Sequence, residues 1–403
     1  MTKRKLLSLT LTLALVLTTV FAGTESIFAE ADTSAKTSAA MKAMSQVGNG
    51  GTINADNLNN LPDTVDSAYL TYSNSPATLN IVVPKAGMLE LPMILVSNSY
   101  LTLYDETSSI VQGTSGSTYY SDSVYVQAST DAEDIKYAYF YVKKAGTYQL
   151  QIKTSYGNGQ AAVMADYIGN TTAALTKNKV YYGTSPNGTT RYYKVTAPGN
   201  GYFTLEFTNA VSSYPSFEVK LTNSKKNNLL KGYETVSSSS DSDRNFKTYY
   251  GVKKGTYYIA IKSDQPMYGF KVKYTKVSEK SGSTKSKAVS LSKGTTKKGI
   301  INATQTESSG DWYKFTIKKK QKVLIDVTSK VSTGGNSYGG LKVEIYQAGR
   351  SYAEVNKYLT KSTPNASFDL VTNSGTTLAA GTYYIKIKRY NKGSGQYTIK
   401  WLK

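Results

Sequence analysis

One phrase occurs three times in this chain: Ala145-Gly-Thr-Tyr-Gln-Leu-Gln-Ile-Lys153, Lys254-Gly-Thr-Tyr-Tyr-Ile-Ala-Ile-Lys262 and Ala380-Gly-Thr-Tyr-Tyr-Ile-Lys-Ile-Lys388. The glycines are 109 and 126 residues apart, a domain's length and far more than a solenoid repeat, so the phrase predicts three copies of one module. Within each copy a turn is followed by period-two alternation, which is a strand: Tyr148, Leu150 and Ile152 face one way, and Gln149, Gln151 and Lys153 the other. Glycine supplies the turn geometry and threonine starts the strand. The next tyrosine enters the core, with its hydroxyl free to return to a backbone group as at the tyrosine corner of other sandwiches. Tyr148, Tyr257 and Tyr383 are therefore read as structural.

The other apolar runs are short, alternating and separated by Gly, Ser, Asn or Lys turns. Trp312–Ile317, Lys322–Val327, Leu341–Tyr346 and Tyr397–Trp401 in the third copy match Arg191–Val195, Tyr202–Phe207, Phe217–Leu221 and Phe270–Tyr274 in the second. The first copy is divergent, keeping Leu79–Val83, Leu101–Tyr104 and Tyr137–Val142, and no stretch has a helical period. The fold class expected is all-β: three tandem antiparallel β-sandwich modules of jelly-roll or immunoglobulin-like type. The expected division is a signal peptide at 1–31, a flexible leader at 32–60, module one at 61–167, a linker at 168–179, module two at 180–277, a Lys/Ser-rich linker at 278–298 and module three at 299–403.

Lys3-Arg4-Lys5, an apolar stretch from Leu6 to Phe21 and Ala29-Glu-Ala31 form the three parts of a secretory signal. Cleavage is placed after Ala31, with Ala22 as the alternative, and no later segment is long and apolar enough to span a membrane. With no cysteine and no C-terminal sorting signal, the expectation is a secreted protein, extracellular or held non-covalently at the cell wall. Net charge is +21, but residues 32–170 sum to −5, residues 171–278 to +10 and residues 279–403 to +15. Modules two and three therefore suit an anionic extracellular polymer, with non-specific nucleic-acid contact as a further partner. Lysine at alternate strand positions also serves a solvated sheet face and discourages edge pairing.

In module three, Asp311-Trp-Tyr-Lys-Phe-Thr-Ile317, Leu341–Tyr346, Leu378–Ile387 and Gly395–Ile399 resemble the bacterial pre-peptidase C-terminal (PPC) domain, a family similar to the collagen-binding modules of clostridial collagenases. Module two matches less well, with Arg191 where the motif has Asp, and module one least. The resemblance implies a sandwich fold and a non-catalytic role in attachment to substrate or matrix, or in secretion. Some members of the collagen-binding branch hold calcium through carboxylates before the first strand, where module three offers only Glu307 and Asp311. Module one crowds Asp56, Asp63 and Asp66 there, so a calcium site on these three stands against a solvated Asx-rich turn. The spacing favours the turn, and no other cofactor is expected.

Histidine and cysteine are both absent, which excludes Ser-His-Asp and Cys-His catalysis and His-containing zinc sites. Carboxylate chemistry stays formally open, yet Glu206, Glu218, Asp326 and Glu344 are scattered singly on outward strand positions. No set of residues with assigned catalytic roles can be assembled, so a non-enzyme is expected. Alternation places Tyr313, Phe315 and Ile317 inward and Trp312 outward; it also sends out Tyr192, Tyr258 and Lys262 in module two, and Tyr384, Lys386 and Lys388 in module three. These seven are the candidate ligand-binding residues, because aromatic faces flanked by cations suit sugar rings, collagen-like helices or bases. Cross-strand pairing that merely stabilises a wet sheet is the competing role. The functional expectation is a non-catalytic, multi-module binding or adhesion protein on an anionic wall polymer, polysaccharide or matrix protein. A self-assembling matrix or surface component comes second, and a carboxylate-dependent hydrolase third.

Overall fold

A computed structural model describes residues 47–402, apart from 61, 63–64, 117–118, 129–133, 170–173, 176–177, 186–187, 211–215, 238–245, 264, 279–280, 337, 364 and 370–376. The residues expected to form a signal peptide and the first part of the expected leader lie outside the described residues. The fold is all-β, with six sheets and three successive cores. In each module the strand of the repeated phrase is flanked by the same two partners. Gly381–Tyr390 lies between Asp311–Ile317 and Gly340–Gln347, and Gly255–Ser263 lies between Arg191–Ala197 and Ser216–Asn223. Gly146–Lys153 lies between Ala77–Val83 and Ser99–Tyr104.

The corner tyrosines act as their position in the phrase suggests. Tyr148 Oη donates to the Lys144 carbonyl at 2.9 Å, Tyr257 to Lys253 at 2.9 Å and Tyr383 to Ala379 at 3.1 Å, each closing the turn on the strand that follows. The preceding glycines sit at φ of 156°, 159° and 148°. A Cβ on Gly381 would touch nothing within 4 Å, so backbone geometry, not space, requires glycine there. Inside module three, Tyr313 Oη and Tyr397 Oη are 2.9 Å apart, and Tyr397 donates to Asp311 Oδ2 at 2.6 Å. Burial first, and then the Asp311 charge, push the Tyr397 phenol well above its ordinary value. Module two keeps the tyrosine pair, Tyr193 and Tyr268 at 3.1 Å, but has Arg191 in place of the aspartate; Ser185 Oγ takes up Tyr268 at 3.3 Å.

Two stretches expected to be loose are built into the modules. Residues 52–54, within the expected leader, pair in parallel with Ala77–Val83 and bury Ile53 in the first core. Residues 289–290, within the expected Lys/Ser-rich linker, pair in parallel with Asp311–Ile317, and Leu291 is 2% exposed in the third core. Polar composition argued for solvation, but a few apolar residues at the right register, Ile53 and Ala55 in one stretch and Val289 and Leu291 in the other, dock these short segments.

Nor are neighbouring modules separated by free chain. Met88 and Tyr139 of module one, with Leu58 from the expected leader and Ile168 from the expected linker, where Asp166–Gly169 pairs with Gly87–Leu95, form one buried cluster with Tyr182 and Met267 of module two. Asn59 hydrogen-bonds the backbone of Tyr182 in both directions, at 2.9 and 2.7 Å. Between modules two and three, Ala303 enters the second core and its N–H donates to the Gly251 carbonyl at 2.8 Å. A Cβ on Gly251 would sit 2.2 Å from the Ile301 carbonyl oxygen, so this approach requires glycine.

Candidate functional site

The sheet built on Asp311–Ile317, Gly381–Tyr390, Gly340–Gln347 and Val355–Thr360 has one face in the third core and one outside. Tyr313, Phe315 and Ile317 are buried on the inner face, and Trp312 is half-buried on the outer one. Register then fixes the outer rows. Trp312 pairs with Lys386 and Lys386 with Glu344; Lys314 pairs with Tyr384 and Tyr384 with Tyr346; Lys388 pairs with Lys342. The structure thus brings Trp312, Tyr384, Lys386 and Lys388 together on one surface.

Glu344 organises that surface, although its position gave no sign of it. Its carboxylate takes Lys342 Nζ at 2.9 Å, Lys388 Nζ at 3.0 Å and the Tyr346 hydroxyl at 2.8 Å, and the residue is 5% exposed despite facing outward. Burial pushes this carboxyl up, but the hydrogen bonds from Lys342, Lys388 and Tyr346 outweigh it and hold the group below its ordinary value. Lys386 donates instead to the Ser308 carbonyl at 2.7 Å and lies 5.3 Å from the Trp312 ring centre. Burial, then the like charge of Lys388, makes Lys386 a weaker base than a free lysine. Trp312 also packs on Tyr346, with ring centres 5.5 Å apart.

Module two repeats the scheme with other residues. Tyr192 and Tyr258 face outward across Ala260, and Lys262 forms an ion pair with Glu218 at 2.8 Å. In both modules a lysine from a neighbouring segment lies over the rings. Lys226 is 4.8 Å from Tyr192 and 5.5 Å from Tyr258, while Lys285 is 5.4 Å from Tyr346 and 5.1 Å from Tyr384. Sequence reading missed both lysines, because each comes from outside the strands that carry the rings. The rings are thus occupied by cations of the same chain rather than left as bare stacking platforms. In module one the matching outward positions are Asn80, Gln149 and Gln151, which carry no charge.

Of the three candidate metal residues, Asp56 and Asp66 are near enough for the Asp66 charge to act on Asp56. Asp66 Oδ2 accepts from both the backbone and side-chain nitrogens of Asn54, at 2.9 and 2.8 Å, and Asp56 pairs with Asp166 on a neighbouring strand. Burial, then Asp66, pushes the Asp56 carboxyl up. Asp63 lies outside the described residues, and among those described no group of three or more acidic side chains is placed to hold a metal ion. No helix of the described residues is long and apolar enough to cross a membrane.

No family profile and no curated protein matches the sequence. Among solved structures, the pre-peptidase C-terminal domain of a collagenase from Bacillus anthracis aligns at 16% identity and a TM-score of 0.21, over 32% of this chain and 99% of that one. The triple jelly-roll turret protein of an archaeal virus aligns at 10% identity and a TM-score of 0.22, over 81% of each chain. The M60 catalytic domain with its CBM51 domains from Clostridium perfringens aligns at 10% identity and a TM-score of 0.16, over 87% of this chain and 36% of that one.

Proposed function

We propose that the protein is a secreted, non-catalytic binding protein whose second and third modules attach to an anionic extracellular polymer through their outer lysine–tyrosine faces. The observation that supports this most is the placing of Lys226 and Lys285 over tyrosine pairs. Rings fix the ammonium groups without neutralising them, whereas a carboxylate partner would remove the charge that a polyanion meets. Neither lysine takes part in an ion pair among the described residues. The net charges of +10 and +15 over these stretches act in the same direction. Because the two modules pack on each other, their faces keep a fixed relation, and a polymer long enough to reach both gains from effective concentration without an ordering cost in the linker.

The test is retention of the mature chain on wall preparations with and without their teichoic acid, over a salt series. Retention that depends on the anionic polymer and falls steeply with salt, and that weakens in a Lys226→Ala/Lys285→Ala double variant, is expected. Salt-insensitive retention, or an unaffected double variant, refutes the assignment. Self-association without retention would favour the self-assembling component instead.

A further inference from the structure

Module one holds a cleft of about 660 Å³ at one end of its sandwich. The chain crosses between the two sheets there twice. After Ser99–Tyr104 it turns at Asp105, pairs back as residues 110–111, and enters the other sheet as residues 113–114; it returns through Lys143 and Lys144 into the strand of the repeated phrase. The two crossings form the walls. Tyr120 and Tyr141 line the cleft, and both are packed from behind by the cluster shared with module two. That backing gives the aromatic surface a rigid support.

The lining chemistry differs from that of the other two modules. Asp105 and Asp122 stand beside Lys143 and Lys144, and Lys144 is itself paired with Glu106 at 3.1 Å, so the cleft has no surplus of cations to favour an anionic ligand. It offers acceptors and donors side by side next to ring faces and the half-exposed Ile110. Asp105 Oδ1 is held by the Thr107 backbone and hydroxyl and by the Ser109 backbone, at 2.8, 2.6 and 3.0 Å. Those bonds, the hydroxyl's first, keep its carboxyl below the ordinary range; they occupy Oδ1 and leave Oδ2 as the acceptor a ligand would meet. Gln112 Nε2 donates to Asp122 Oδ1 at 3.0 Å, orienting the second carboxylate. Fixed acceptors, adjacent donors and an aromatic wall, without a surplus of cations, match a molecule that has hydroxyls along its edge and C–H groups on its face.

We infer that this cleft binds a short neutral oligosaccharide, at a site separate from the cationic faces of modules two and three. Its volume lies within the roughly 300–1,000 Å³ usual for pockets that enclose a small ligand. The inference does not depend on the anionic-polymer assignment, since no residue is shared between the two sites.

The experiment is saturation-transfer NMR on the mature full chain with cellotriose, maltotriose and chitotriose as separate probes and tetraglycine as a peptide probe. Transfer to at least one trisaccharide is expected. Asp122→Ala and Lys143→Ala, both at exposed positions, should each weaken it about tenfold, while Lys319→Ala, at an exposed position of module three, leaves it unchanged. Absence of transfer to all three sugars overturns the inference. So does equal binding in Asp122→Ala with its circular dichroism intact, or displacement of the sugar by tetraglycine, which would make the cleft a peptide site. Tyr120→Ala is less suitable because that ring also supports the contact with module two.

Discussion

Replacing Arg389 with methionine tests whether modules two and three fold as one body. Arg389 continues the inward face of Gly381–Tyr390 beyond Ile387, is 4% exposed, and forms no ion pair among the described residues; its guanidinium donates to five backbone carbonyls. Four belong to module three: Gly393 at 3.1 Å, Ala303 at 2.7 Å, Gln305 at 2.9 Å and Lys392 at 2.6 Å. The fifth, Leu229 at 3.0 Å, belongs to module two. Summing five charge-assisted bonds would overshoot, because burying the cation costs much of that energy. Removing the donor leaves carbonyls buried without a partner at about 1–3 kcal/mol each, partly offset because the cation is no longer buried, for a net cost of about 3–5 kcal/mol. In a unit of roughly 200 residues each kcal/mol moves the midpoint about 2–4 °C, giving a fall of roughly 6–20 °C. Scanning calorimetry of the mature chain should show one shared transition for modules two and three moving down by that amount. Arg389→Lys should fall between, since an ammonium lacks the planar fork needed to reach all five oxygens. A shift below about 2 °C, or a module-two transition that stays in place while module three moves, refutes the reasoning.

Three further outcomes follow from single interactions. Tyr383→Phe and Tyr257→Phe should each lose about 0.5–1.5 kcal/mol in urea unfolding, because only the corner hydrogen bond is removed. Gly395→Ala should be more damaging than Gly381→Ala: both glycines have positive φ, but a Cβ at 395 would lie 2.0 Å from the Lys330 carbonyl while one at 381 meets open space, and comparison of the two melting midpoints decides this. Glu344 has a folded-state carboxyl pKa below its unfolded value of 4.5. Its contribution is thus complete above that value and is lost as pH falls through the lower folded value. Glu344→Gln should therefore cost about 1–2 kcal/mol at pH 7, and the two stability curves, followed by urea titration from pH 7 downward, should converge in acid.

Much of the fold was legible in period two alone. Tyr313, Phe315 and Ile317 alternate with Trp312, Lys314 and Thr316, and burying one set obliges the other to face out, so fixing the inward set also placed the candidate residues on one sheet face. The charge environment of that face was not legible. Glu344 sits at an ordinary outward position, and its ion pairs depend on which strands flank its own. Lys226 and Lys285 reach the rings from segments without alternation, where sequence gives no register. The cleft of module one was equally hidden, since its walls come from two crossings whose spacing is set by how far apart the sheets pack.

By itself, then, the sequence determined the repeated unit, the sandwich class, the corner tyrosines and the absence of histidine and cysteine chemistry, because each rests on local geometry or on composition. Only the tertiary structure decided that neighbouring modules share buried contacts, that Arg389 and Gly251 serve an interface, and that the outer rings are covered by lysines of the same chain. Those features depend on groups as far apart as Leu229 and Arg389, and no local pattern records a contact between residues that only packing brings together.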